Sequence, residues 1–312
     1  MSIKKISISN FRCFDSVDLE FSELNNFIHG ANGSGKTSVL EALYFCSTGR
    51  SFKSSNKNLC IQNDKEAFKI QIDTFDSNKI CILKEAKKSI SLEINESKAT
   101  SIELFRAIPS TLLDNKTFSM FADTPKYRRK ILDRCLMASD KNYSKDFFSF
   151  HRSLKQRNAA LKFKRLTNID MWSEIFINSG TLISEKRNNF FEETKQTFFR
   201  FAKNLKDKRV LEIINSLEIL FHKGWASQHS LKEVLELNRD SDQRKTSTTS
   251  GPHRADIKFL IKDSDIKYIL SRGEQKFMSI LWCLSMHKTL SDFYGVKPFL
   301  IIDDIHSELD ED

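Results

Sequence analysis

The stretch GANGSGKT, residues 30–37, constrains this chain more than any other feature. It places Gly30, Gly35, Lys36 and Thr37 at the spacing G-x-x-x-x-G-K-[ST]. Glycines let a loop take positive φ and bring backbone N–H groups close to phosphates. A lysine at this place reaches the outer phosphates of a nucleotide, and the hydroxyl after it ligates Mg²⁺. The flanks suit such a loop. NNFIHG in front contains a short apolar run that reads as a strand. KTSVLEALYFCSTG behind reads as a helix, with Val39, Leu40, Leu43 and Tyr44 on one face and Gly49 as its stop. Phosphates would sit at that helix's N-terminus. Gly30, Ala31, Asn32, Gly33, Ser34, Gly35, Lys36, Thr37 and Ser38 therefore form the expected nucleotide-binding set.

A phosphate loop needs a carboxylate at the end of a neighbouring strand to hold Mg²⁺. KPFLIIDD supplies one, as a short continuous apolar run that reads as a buried parallel strand. Asp303 follows the run directly and is the expected metal carboxylate beside Thr37. Asp304 comes next and is the candidate general base for an attacking water. A third piece is LSRGEQK, residues 270–276. Ser271 before a helix, with Glu274 three residues on, has the spacing of a capping box. The same helix start equally suits phosphate binding.

Between these pieces the periodicity changes. VDLEF, FKIQIDTF, KICIL and SISLEI alternate or run short and apolar, so the first 100 residues read as β-rich with one helix. From TPKYRRKILD onward the spacing is helical as far as about residue 240. NRDSDQRKTSTTSGPHR then closes the helical region as a polar loop, and strands return at Ile257, Phe259 and Ile261. The expected organisation is an α/β head built from 1–124 and 246–312, with a helical lobe at 125–245 inserted between them. Net charge sharpens this division. Residues 125–209 hold 21 Lys/Arg against 9 Asp/Glu, a local +12 in a chain whose total is +9. So localised a surplus either meets a polyanion or is a solvated helical face.

The order of the pieces (P-loop, long insertion, S-x-G before a helix, strand ending Asp-Asp, then SELD) resembles the ATP-binding-cassette ATPase heads of the SMC type. More closely, ISNFRCF, GANGSGKTSVLEALYF, GRSFK, TPKYRRKILD, LKQRNAALK, SGPHRAD, LSRGEQK and IIDDIHSELD resemble motifs of the bacterial RecF family of recombinational DNA-repair proteins, across nearly the whole chain. The resemblance implies ATP and Mg²⁺ as cofactors. It implies an ATP-dependent homodimer that clamps single-stranded, double-stranded or gapped DNA, and assistance to RecA loading with mediator partners of the RecR and RecO type. By the same resemblance, Ser271 and Gly273 contact ATP across the dimer and Asp310 lies in a dimer-crossing loop. Lys126, Arg128, Arg129, Arg152 and Arg157, from the basic region, are the candidate DNA contacts. Arg50 in GRSFK touches a phosphate or DNA, or else caps its helix. The sequence departs from the family in three places. The segment LLDNKTFSMF offers Asp114 and Asn115 but no obvious Gln or Glu acceptor. Position 274 is Glu where Gln is usual. The family's last core strand and switch residue have no counterpart before Asp312, so the head reads as truncated and hydrolysis stays open, a weak DNA-dependent ATPase being what the full pattern implies.

Two other functional classes compete. A small-molecule P-loop kinase would need a substrate lid and would not need LSRGEQK or SELD. A non-hydrolysing DNA-binding scaffold would not need the switch residue. Of the remaining residues, His253 and Arg254 in SGPHRAD either support the loop or lie near nucleotide or DNA. Trp172, Trp225 and Trp282 read as core. The six cysteines lack C-x-x-C spacing and read as small buried hydrophobes of a reducing cytoplasm. No run approaches a membrane span, and the start MSIKKISISNF has no signal-peptide apolar region.

Overall fold

A computed structural model describes residues 3–304 except 116, 118, 123 and 164–168. The chain divides into two compact units, 1–115 with 295–312, and 116–294.

The first unit begins with β1 (Ile3–Phe11) and β2 (Phe14–Glu20), then α1 (Lys36–Thr48). It continues with β3 (Ala67–Thr74), β4 (Lys79–Glu85), β5 (Ser91–Ile94), β6 (Ser97–Lys98), α2 (Ser101–Ala107) and β7 (Ser110–Leu113). The first six strands form an antiparallel sheet in the order β2-β1-β3-β4-β5-β6. Alternation decides which face is covered. Phe68, Ile70 and Ile72 of β3, and Ile80 and Ile82 of β4, are buried, while Lys69, Gln71 and Asp73 face water. Ala42, Phe45 and Cys46 of α1 join the same core, and Phe45 and Phe11 meet Phe68 edge to face.

The second unit runs through α3 (Ser119–Ala122), α4 (Pro125–Ser139), α5 (Tyr143–Lys162), α6 (Ile169–Ala202), α7 (Lys208–Asn215), β8 (Leu217–His222), α8 (Leu231–Leu237), α9 (Arg239–Lys245), β9 (Asp256–Ile261), β10 (Ser264–Asp265) and α10 (Arg272–Tyr294). Thr124 and Pro125 start α4 as their types dictate. The 34-residue α6 packs along α5 and α10, with Phe191 and Phe198 against Trp282 and Phe259 edge-on to it. β11 (Phe299–Ile302) then rejoins the first unit as a parallel partner of β7.

Four sequence expectations differ from this architecture. The region 125–245 is not helical throughout, because Leu217–His222 is a strand paired antiparallel with β9 from Leu217↔Ile261 to His222↔Asp256. That pairing, with α10 against α6, keeps residues 246–294 in the helical unit, so the boundary falls near 294/295 and not at 245/246. NNFIHG forms no strand: residues 21–35 are irregular and Phe27 is 89% exposed. A short apolar run becomes a strand only where a neighbour accepts its backbone hydrogen bonds. β11 is parallel as expected, but only Ile301 is fully buried while Ile302 is 52% exposed. Among the described residues no helix is long and apolar enough to cross a membrane.

Candidate functional site

The phosphate loop enters α1 through Gly35, whose φ of +93° is open to glycine alone; a Cβ there would also lie 2.5 Å from the Phe14 ring and 2.8 Å from Cys13 Sγ. Glycine is therefore required twice over at this point. No side chain caps α1 and its first turn holds no acidic residue, so its N-terminal N–H groups and its positive dipole end are uncompensated from within. Lys36 Nζ is held across the loop by the carbonyls of Gly30 at 2.8 Å and Ala31 at 2.9 Å.

Thr37 Oγ1 donates to Asp303 Oδ1 at 3.1 Å, joining residues 266 apart in sequence. The reason is topological: β11 runs parallel to β7, and Asp303 N–H extends the ladder to Leu113 O at 2.9 Å. Burial raises the Asp303 carboxyl above its ordinary value, opposed by the Thr37 hydrogen bond and the nearby Lys53 charge. A hydroxyl and a carboxylate side by side are hard oxygen donors that fit Mg²⁺. Among the described residues no group of three or more His, Cys, Asp or Glu forms a self-contained metal site. A cation here would complete its shell with phosphate and water. Asp304 is exposed, with its backbone in the left-handed region at φ +52°.

Under the loop lies a cluster that sequence reasoning missed. Glu41, in the second turn of α1, is fully buried. It receives Arg12 Nε at 2.9 Å and Arg12 Nη2 at 2.6 Å, together with the Ser51 hydroxyl. The hydrogen bond to Glu41 raises the Arg12 guanidinium further. Arg12 also reaches Leu59 O at 2.6 Å. The pair thus ties the RCF turn and the GRSFK segment to the P-loop helix, and a charged residue amid KTSVLEALYF was the available signal. Arg50 is exposed just past the left-handed Gly49 cap, with its own backbone N–H held by Thr48 Oγ1.

At the start of α10 the capping box is present. Glu274 N–H donates to Ser271 Oγ at 3.3 Å and Ser271 N–H to Glu274 Oε2 at 2.7 Å. Gly273 follows in ordinary helical backbone, and no atom lies within 4 Å of a Cβ placed on it. Neither φ nor packing within the chain accounts for that glycine, which costs about 1 kcal/mol against alanine in a helix. Asp310 lies outside the described residues.

The proposed DNA contacts separate into two groups. Lys126 and Arg152 are exposed. Arg128, Arg129 and Arg157 are engaged inside the protein and leave the set. Arg128 grips both oxygens of Asp256 at 2.7 and 3.0 Å. Arg129 donates to Ala255 O at 2.6 Å. Arg157 is buried on the apolar side of α5, bound to Asp242 at 2.8 Å and Thr248 Oγ1 at 2.6 Å. His253 supports its own loop through Nε2 and Thr248 O at 3.0 Å, between Phe150 and Phe176. Trp225 and Trp282 are core as expected, but Trp172 lines an open groove. Cys46, Cys60 and Cys283 are buried, whereas Cys13 is exposed beside the phosphate loop, against expectation.

Comparison with known proteins agrees with this geometry. Residues 2–312 match the RecF/RecN/SMC N terminal domain family. The DNA replication and repair protein RecF of Pseudoalteromonas translucida is 34% identical, aligned over all of this chain and 86% of its own length. A solved structure of the recombination mediator protein RecF with ATP, in the RecFOR pathway, superimposes with a TM-score of 0.86 at 29% identity, over 99% of this chain and 86% of that one. An Smc head bound to the C-winged helix domain of ScpA shares the fold, with a TM-score of 0.52 at 14% identity over 100% and 90% of the two chains.

Proposed function

This chain belongs to the RecF family, and we propose that it is an ATP-dependent DNA-binding protein of replication and recombinational repair. The observation that carries the reading is the Thr37–Asp303 contact, which brings a phosphate loop and a strand-end carboxylate together from opposite ends of the sequence. Residues 30–38 hold the nucleotide, with α1 presenting its N-terminal N–H groups to the phosphates. Thr37 and Asp303 hold Mg²⁺, which neutralises phosphate charge when bound. Asp304 is the candidate base toward the attacking water. Ser271 and Gly273 face a second copy, whose γ-phosphate fills the space that the absent Gly273 side chain leaves. ATP thereby favours a dimer that closes on gapped or double-stranded DNA, with mediator proteins of the RecR and RecO type as partners in the cytoplasm. Among the described residues nothing in the site favours a small-molecule kinase.

The test is calorimetry and light scattering on three variants. Lys36→Ala is expected to lose ATP binding while keeping its fold. Ser271→Arg is expected to bind ATP as a monomer. Asp304→Asn is expected to keep ATP affinity and lose any phosphate release. Undiminished ATP affinity in Lys36→Ala would refute the loop assignment, and ATP-driven dimers of Ser271→Arg would refute the role across the dimer.

A further inference from the structure

The helical unit carries a surface that the nucleotide reading does not use. One side of α5 is buried through Tyr143, Phe150, Ser153, Arg157, Ala160 and Leu161. Lys145, Phe148, Arg152, Lys155 and Lys162 are all exposed. At about 100° per residue these five fall within an arc of roughly 100° opposite the buried side. From Lys145 to Lys162 the ridge runs roughly 25 Å at 1.5 Å per residue. None of its four cations has a carboxylate partner among the described residues, although Arg157 on the buried side and Lys186 on the neighbouring α6 do. Beside the ridge a groove of about 380 Å³ is lined by Phe148, Ser149 and Arg152 with Trp172 and Ile175 of α6. The Arg152 guanidinium stands 6.0 Å from the centre of the Trp172 ring, and Phe148 is 57% exposed.

We propose that this face binds single-stranded nucleic acid, with backbone phosphates along Lys145, Arg152, Lys155 and Lys162 and an unstacked base against Phe148 and Trp172. Charge complementarity selects a polyanion: four unpaired cations along one helix match a strand with regularly repeated negative charge. The aromatic residues select the single-stranded form. Bases in a duplex already cover each other's faces, so Phe148 and Trp172 would add nothing to duplex binding, whereas every unstacked base offers a face to an aromatic platform. An apolar partner helix would want a continuous apolar stripe, and only Phe148 among the five ridge residues is apolar. The inference rests on the DNA-binding reading but not on ATP, and it assigns a gapped substrate's unpaired strand to α5.

The experiment titrates a labelled 20-mer of dT, and a duplex of equal length, into the whole protein with and without ATP. Trp225 and Trp282 are 8% and 1% exposed, so stacking on Trp172 is expected to quench intrinsic fluorescence with dT, and Trp172→Phe to abolish the quench. Phe148→Ala is expected to weaken dT binding about tenfold and leave the duplex within about twofold. Arg152→Glu with Lys155→Glu is expected to flatten the salt dependence of dT binding by about 1.4 in log–log slope, about 0.7 for each lost phosphate. Phe148, Arg152 and Lys155 are exposed and Trp172 is half-buried, so the thermal midpoint serves as a check that each variant is folded. A quench that persists in Trp172→Phe, or equal losses for both DNA forms in Phe148→Ala, would overturn the proposal. Competition by oligo-glutamate as effective as that by dT would overturn it in favour of an acidic protein partner. Duplex binding with ATP but none to dT would remove this inference alone, and binding to neither would remove the DNA-binding reading itself.

Discussion

The basic residues of the helical unit work in two opposite ways. Arg128, Arg129, Arg157 and Arg187, from three successive helices, turn inward onto one segment. Arg157 holds Asp242 and Thr248, Arg187 holds Pro252 O, Arg129 holds Ala255 O and Arg128 holds Asp256. The loop TTSGPHRAD is thus clamped by guanidinium groups, and the planar forks of Arg128, Arg157 and Arg187 each satisfy several acceptors at once. Lys145, Arg152, Lys155 and Lys162 are exposed and, among the described residues, have no carboxylate partner. The same local surplus of charge therefore holds a loop on one side of α5 and leaves a field on the other. Desolvation separates the two: a cation sheds its water only where fixed acceptors replace it.

The largest effect is expected at the buried Arg187–Asp133 pair. Arg187 is 2% exposed and forks onto both oxygens of Asp133 at 2.7 and 2.9 Å, while Tyr143 donates to Asp133 at 2.5 Å. Burial lowers the Arg187 guanidinium's affinity for its proton, but the Asp133 charge outweighs this and the net direction is upward. Asp133→Ala strands that cation, and urea denaturation is expected to show a loss of about 3–5 kcal/mol. A loss below about 1 kcal/mol would mean the inward set is no more structural than the ridge.

A smaller effect comes from pH. Burial pushes His253 down to about 4, with Arg254 and Arg129 acting in the same direction and the Thr248 carbonyl and Asp242 opposing. The folded value lies below the unfolded one, near 6.5, so the unfolded chain binds the extra proton between them. Stability from this residue is complete above about pH 6.5 and falls as pH drops toward 4, by up to about 3 kcal/mol. His253→Asn is expected to flatten the profile in that window relative to the parent protein. Parallel profiles would show that the loop does not depend on a neutral imidazole. The smallest effect is expected on the ridge, where Lys155→Ala shifts unfolding free energy by less than about 0.5 kcal/mol. A larger loss would erase the distinction between the two sets.

Local chemistry was legible in the residues. Val39 to Gly49 read as a helix with its stop, FKIQIDTF and KICIL as half-buried strands, and Ser271 with Glu274 as a capping box, because each depends on neighbours within four positions. The juxtaposition of Thr37 and Asp303 was readable too, since a phosphate loop and a strand-end carboxylate have one workable arrangement. The buried Glu41–Arg12 pair was not, because no period marks which distant arginine will meet a carboxylate.

By itself, then, the sequence determined the phosphate loop, the strand-end carboxylates, the α/β class and the surplus of positive charge in the middle of the chain. Tertiary structure alone decided where that charge goes. It turned Arg157 inward and Arg152 outward on one helix, paired Leu217–His222 with β9 inside a region that reads as helical, and left NNFIHG without a strand partner. The physical reason is the same in each case. A side chain's type sets what it needs, a counter-charge, a ladder partner or an apolar neighbour, and only the assembled fold determines whether another part of the chain arrives to provide it.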